Sequence, residues 1–152
     1  MPTLAINKSA RFHYDILETL EAGLKLTGHE VKSVRGGRMN LHGSYITLQN
    51  EVPSLISSYI APYLPAKSAQ ENYQADRPRA LLLTKQEITR ILGKIQSEGL
   101  TVIPLKVYTR HGFIKLEIGI ARGKKAYDKR AAIKKRESDR QIQRALRKKY
   151  LD

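Results

Sequence analysis

Cysteine and tryptophan are absent from this chain of 152 residues. Without cysteine there is no disulfide framework, no thiolate nucleophile and no Cys-based zinc site, and a reducing compartment suits the sequence. Long apolar runs are missing too. None approaches the roughly 18 residues needed to span a bilayer, and the first twenty residues hold no apolar signal-peptide core. The expectation is a soluble cytoplasmic protein. The four histidines, His13, His29, His42 and His111, show neither H-x-x-x-H nor H-E-x-x-H spacing, so no metal site and no cofactor is expected. A phosphate-binding G-x-x-x-x-G-K-[ST] loop and a G-x-S-x-G nucleophile elbow are both lacking.

Acid is scarce as well. Against 28 Lys/Arg stand 14 Asp/Glu, a net charge of +14. The excess is uneven: residues 121–152 hold 13 basic and 4 acidic residues (+9), residues 1–120 hold 15 and 10 (+5). A weakly basic body with a strongly basic tail points to a polyanionic partner. An anionic membrane would require a broad apolar face on the basic segment. The tail has none, so nucleic acid is the favoured partner.

The local patterns are consistent with a small mixed domain. Residues 13–26 read as strand, with a bulge or turn at Gly23. Thr27 and Glu30 have capping-box spacing and open a short helix that stops at Gly36-Gly37 and carries Lys32 and Arg35 on its surface. No acid lies between Val31 and Asn50, where Lys32, Arg35 and Arg38 stand. Residues 44–61 read as two strands about a turn near Asn50–Pro53. Residues 62–79 form a long polar connection with three prolines, a kind that is often mobile or functional. A second T-x-x-E pair, Thr84 and Glu87, opens a helix whose Ile88, Ile91, Leu92 and Ile95 form one stripe, ended by Gly99. Residues 100–120 alternate apolar and polar on both sides of Thr-Arg-His-Gly. They predict a hairpin with a buried face and a wet face, the latter carrying Lys106, Tyr108 and Lys115.

The architecture expected is mainly β: a small antiparallel barrel with two to three added helices over 1–123, then a basic tail over 124–152. The tail has helix formers but only Ile142, Leu146 and Tyr150 as an apolar stripe. It is expected to be disordered alone and helical on a polyanion. Within it Asp128 is spaced to pair with Lys124, four residues earlier.

Three carboxylates, Glu18, Glu21 and Glu30, raise the alternative of a Mg²⁺-dependent nuclease. Capping and solvation explain two of them more simply, and Glu21 is suited to accept from a base amine or to order a neighbouring Arg. Cations on phosphates with rings on bases fit the composition better. Phe12, Tyr108 and Tyr127 lie nearest the basic clusters, though core packing accounts equally well for the first two. Composition alone does not separate a dedicated adaptor from a general RNA-binding or ribosomal protein.

Four blocks carry a resemblance: INKSARFHYDI (6–16), EAGLKLTGHEVKSVRGGRMNL (21–41) with GSYI (43–46), LLLTKQEITRILGKI (81–95) with EGLTVIPLKVY (98–108), and KLEIGIARGKKAYDKR (115–130). Together they resemble the small protein B (SmpB) family, the tmRNA-binding or SsrA-binding proteins, from about Leu4 to Arg130. The resemblance implies an oligonucleotide-binding (OB) fold and an RNA-binding adaptor of trans-translation, not an enzyme. Such a protein binds the tRNA-like domain of tmRNA and delivers it, with elongation factor Tu and GTP, to stalled ribosomes. Its tail enters the vacant mRNA channel near the decoding centre. Carried over by matching block, Asn7, Lys8, Arg11, Glu21, Lys32, Arg35 and Leu82 are expected at the RNA. Arg38, Lys115 and Arg122 join them from the basic pattern of the body. Lys124, Lys125, Tyr127, Asp128, Lys129 and Arg130 are expected at the ribosome. Two positions depart from the family pattern. Thr84 stands where many members have Asn, which leaves it a helix cap. Tyr127 stands where others have His, so a role needing a proton near pH 6.5 is lost there.

Overall fold

The structure, a computed structural model, describes residues 2–48, 52–124 and 135–145. Strand β1 (Thr3–Ile6) and a single helical turn α1 (Ala10–His13) lead into the long strand β2 (Tyr14–Leu24). Helix α2 (Gly28–Arg35) and the short strands β3 (Met39–Asn40), β4 (Tyr45–Thr47), β5 (Ser54–Ile56) and β6 (Tyr59–Ile60) follow. A 3₁₀ segment (Leu64–Gln70), β7 (Arg79–Leu82), α3 (Lys85–Glu98) and the hairpin β8 (Thr101–Arg110) and β9 (Phe113–Gly123) complete the body.

Both predicted capping boxes form. The Thr27 and Thr84 hydroxyls accept from the N–H of Glu30 and Glu87, whose carboxylates accept in return from the threonine N–H groups. Each reciprocal cap satisfies two otherwise orphan donors and is worth about 1 kcal/mol. Gly99 ends α3 in the left-handed region at φ 65°.

Seven strands form one antiparallel sheet in the order β1-β8-β9-β2-β7-β5-β4, and β3 pairs with β6 in a separate ladder. The predicted hairpin is present. His111 and Gly112 turn it with φ of 51° and 79°, the signs that a tight two-residue turn requires. Ile114, Leu116, Ile118 and Ile120 point to one face of β9, into a core with Val107, Leu55, Ile91 and Val34. Each fully buried aliphatic side chain contributes about 1.5–3 kcal/mol.

The opposite face of β9 carries Lys115, Glu117, Gly119 and Ala121. Its far half is covered by a second small cluster of Ala10, Ile103, Leu105 and Ala121, with Tyr14 and Ile16 against it. Gly119 permits this closeness: a Cβ there would meet Leu105 Cδ1 at 3.1 Å and Ile16 Cγ2 at 3.2 Å. The near half, toward the hairpin turn, stays open.

Several expectations need correction. Gly23 is neither bulge nor turn. It is paired on both sides, to Leu82 and Lys115, and a Cβ on it would lie 3.0 Å from the Leu82 Cβ. The irregularity in β2 falls instead between Ile16 and Glu18. Tyr108 is buried, 8% exposed, although it belongs to the outer face. A register shift between Pro104 and Lys106 leaves Leu105 as an extra residue, so Ile103 and Leu105 pack in the outer cluster while Val107 joins the main core. Residues 44–61 contain a third strand, β6, besides the expected pair. The connection over 62–79 is folded: the Gln70 amide exchanges hydrogen bonds with the Tyr63 backbone at 3.1 and 2.8 Å, and Tyr73 and Arg77 reach α2.

Candidate nucleic-acid interface

Helix α2 supplies the first elements of the interface. Its cap residue Glu30 is 1% exposed yet charged. Two cations from the connection and β7 reach it. Arg79, with no exposure, donates from Nε and NH2 at 2.9 and 2.6 Å, and Arg77 forms a second ion pair. Tyr73 donates its hydroxyl to the same carboxylate at 3.2 Å. Burial alone would raise the Glu30 pKa, but hydrogen bonds from Arg77, the Thr27 N–H and Arg79 outweigh it and hold the group at about 2. The remaining Arg79 donors go to the Ser58 and Ala75 carbonyls, so the buried cation is fully satisfied. The network locks α2 to the sheet and thereby places Lys32 and Arg35, both exposed, on its outward side.

Arg35 then reaches across to the hairpin, donating to the Gly112 carbonyl at 2.7 Å. Just behind that turn lies an open hollow of about 420 Å³, lined among others by Thr19, Glu21, Lys106, Tyr108, Arg110 and Glu117. The register explains how they meet. Leu82, Gly23, Lys115, Tyr108 and Thr3 are successive partners across β7, β2, β9, β8 and β1, so they share one face of the sheet. One pleat further along, Glu21, Glu117 and Lys106 form the next row.

Glu21 accepts from the Tyr108 hydroxyl at 2.5 Å and from Arg110 NH1 at 3.0 Å. The Tyr108 and Arg110 hydrogen bonds lower the Glu21 pKa, whereas burial and then the Glu21 hydrogen bond push the Tyr108 phenol up. Glu21 thus orders a neighbouring Arg, one of the two roles read for it in the sequence. Leu82 lies 60% exposed beside this row.

A second group lies at the other end of β9. Lys115 and Arg122 are seven residues apart on that strand, about 23 Å. Asn7 is a clamp: its side chain donates to the Pro104 carbonyl at 2.8 Å and its N–H to Leu105 O at 2.8 Å. Lys8 and Arg11, one and four residues after it, are exposed. Arg122 sits opposite Asp15 in the ladder. Lys124 donates its N–H to His13 O and its Nζ to Arg11 O, both at 2.9 Å. Arg38 is exposed after α2, its carbonyl accepting from Ala61 N–H. The expected RNA residues therefore form two basic fields, not one compact site. Lys125, Tyr127, Asp128, Lys129 and Arg130 lie outside the described residues. Residues 135–145 are helical, and every one of them is exposed.

The three carboxylates of the nuclease alternative do not converge. Glu18 pairs with Arg90 and Lys94, Glu21 with Arg110, Glu30 with Arg77 and Arg79. Among the described residues no group of three His, Asp or Glu is placed to hold a metal ion. Sequence reasoning missed Arg110 and Phe113, which frame the hairpin turn. Their signal was available, a cation and a ring immediately flanking a tight His-Gly turn.

A family model described as SmpB protein matches residues 4–148. The SsrA-binding protein of Nostoc punctiforme is 46% identical over 95% of this chain and 92% of its own. That of Persephonella marina is 47% identical over 97% and 93%. A chain of the solved structure presented as "tmRNA-SmpB: a journey to the center of the bacterial ribosome" is 44% identical. It covers 84% of this chain and 92% of its own, with a TM-score of 0.65.

Proposed function

The chain belongs to the SmpB protein family, and on that premise we propose that it is the RNA-binding adaptor of trans-translation. It binds tmRNA through the tRNA-like domain and brings it, with elongation factor Tu and GTP, to ribosomes stalled on incomplete messages. The observation that carries this reading is that the family match runs through body and tail alike, residues 4–148. The body supplies what RNA binding needs: an open sheet face with Lys115, Arg110 and Lys106, and α2 with Lys32 and Arg35 beside it.

The finer fold reading is an OB-like barrel. Strands β1 and β4 are the sheet's two edges, and β4 packs near β8 without joining it in a ladder. The site is read as one for binding and not for catalysis, in keeping with relatives described as SsrA-binding proteins. The protein acts in the cytoplasm, and among the described residues no helix is long and apolar enough to cross a membrane.

The tail is the ribosome-facing part, acting at the decoding centre and mRNA channel. Its helix over 135–145 is exposed throughout. A helix with no buried face draws little stability from tertiary packing, so a polyanionic groove is the partner that stabilises it.

Sequencing the RNA that copurifies with the protein tests the reading. One dominant tmRNA species is expected, and its binding should weaken with salt at a log–log slope of about −0.7 to −0.9 per phosphate neutralised. Bulk ribosomal RNA with no enrichment of tmRNA would overturn it.

A further inference from the structure

Phe113 is the most exposed large hydrophobic residue among those described, at 67%. It follows the His111-Gly112 turn directly and is the first residue of β9, opposite Arg110. Lys115, two residues on and on the same face, holds its Nζ 5.8 Å from the Phe113 ring centroid. A single exposed apolar side chain is ordinary. What sets this one apart is its frame. Arg35 is fixed to the turn by its bond to Gly112 O. Arg110 is held by Glu21, which the buried Tyr108 hydroxyl also engages. Exposed Leu82 lies one row away, across Gly23. The nearby acids are both engaged, Glu21 as above and Glu117 with Lys106 at 3.5 Å. An uncovered ring among three ordered cations has the composition of a stacking platform for an unpaired base with its flanking phosphates.

We infer that Phe113 stacks on an unpaired base of the bound RNA, while Arg110 contacts an adjoining phosphate. Glu21 and Tyr108 act as positioning residues for Arg110. The inference rests on the tmRNA reading and adds two contacts to it. The turn supports such a role mechanically. With both turn residues at positive φ and Arg35 bracing the carbonyl of Gly112, the ring is presented from a fixed backbone.

The two contacts differ in their dependence on salt. A stacked ring contributes affinity without releasing counterions, whereas a cation on a phosphate contributes to the salt slope. The test is binding of full-length tmRNA to the intact protein across a salt series. Phe113→Ala should weaken binding about tenfold with the slope unchanged, and Phe113→Trp should restore it. Arg110→Gln should reduce the slope by about one phosphate equivalent. Because Phe113 is exposed, its variants should keep the wild-type thermal transition, which is measured alongside. If the wild type binds tmRNA while Phe113→Ala binds equally well, the inference fails and the adaptor reading stands. If the wild type does not prefer tmRNA to bulk ribosomal RNA, the reading fails and the inference with it.

Discussion

The guanidinium of Arg79 and the carboxylate of Glu30, 49 residues apart in sequence, meet inside the protein with both side chains fully removed from solvent. Neither is part of a nucleic-acid surface. Together they decide where α2 sits against the sheet, and with it Lys32 and Arg35.

Removing the charge of Glu30 alone leaves Arg79 buried without its counter-ion. Glu30→Gln should therefore destabilise the fold by about 3–5 kcal/mol. Urea denaturation checks this. A loss within 1 kcal/mol would mean that α2 is held by packing and not by the ion pair.

The same group sets a pH response. The folded pKa of Glu30, about 2, lies below its ordinary value of 4.5. Its stabilisation is complete above pH 4.5 and is lost as pH falls from there toward 2, about 3 kcal/mol in all. The urea midpoint of the wild type should fall over that window. A midpoint that is flat between pH 5 and 2.5 would contradict the assignment.

Tyr108→Phe removes the largest influence lowering the Glu21 pKa. The Glu21 carboxyl, followed by NMR titration, should move up toward 4.5, and tmRNA affinity should fall severalfold as Arg110 loses its fixed partner. An unmoved titration would show that Arg110 alone holds the carboxylate.

Asn7 separates clamp from contact. Asn7→Ala loses its bond to the Pro104 carbonyl and should cost about 1 kcal/mol of stability. The tmRNA affinity of the folded variant should remain that of the wild type. A lower affinity with the salt slope unchanged would assign Asn7 to the RNA directly.

Ending the chain after Lys124 should leave tmRNA binding close to wild type, because both basic fields of the body remain. Release of stalled ribosomes in a reconstituted translation system should be lost. Loss of tmRNA binding itself would mean that body and tail do not divide the work as proposed.

The sequence made some of this plain and concealed the rest. Helices opened by Thr27 and Thr84 were legible because a capping box is local. The β8–β9 hairpin was legible because alternation and a tight turn lie within twenty residues. The charge asymmetry was countable. By contrast, Glu30 could be read as a cap and no further, since its partners at 77 and 79 come from the distant connection and β7. A charged residue such as Arg79 reads as surface until the carboxylate that neutralises it is located. Tyr108 stands on the face expected of it, but its burial was not legible, because the Glu21 that takes its hydroxyl and the Lys106 that lies over its ring meet it only in the fold. The ladder of Met39–Asn40 with Tyr59–Ile60 is only two residues long, too short to leave a periodic signature. At the candidate interface, the matched blocks and the basic pattern of the body named the expected cations, but only the strand order revealed that they divide into two fields.

The register of β2 has a consequence for how the protein comes into being. Tyr14 pairs with Gly123 and Gly23 with Lys115, so the longest early strand has its main partner near the end of the body. Along its β9 edge, β2 finds nothing to pair with until roughly 100 further residues have been synthesised, about 5 to 20 seconds at ordinary elongation rates. A nascent chain halted within α3 carries an open strand edge and half a core. This fold is therefore completed late in its own translation, and an interrupted message for it yields an unpaired strand instead of a smaller version of the protein.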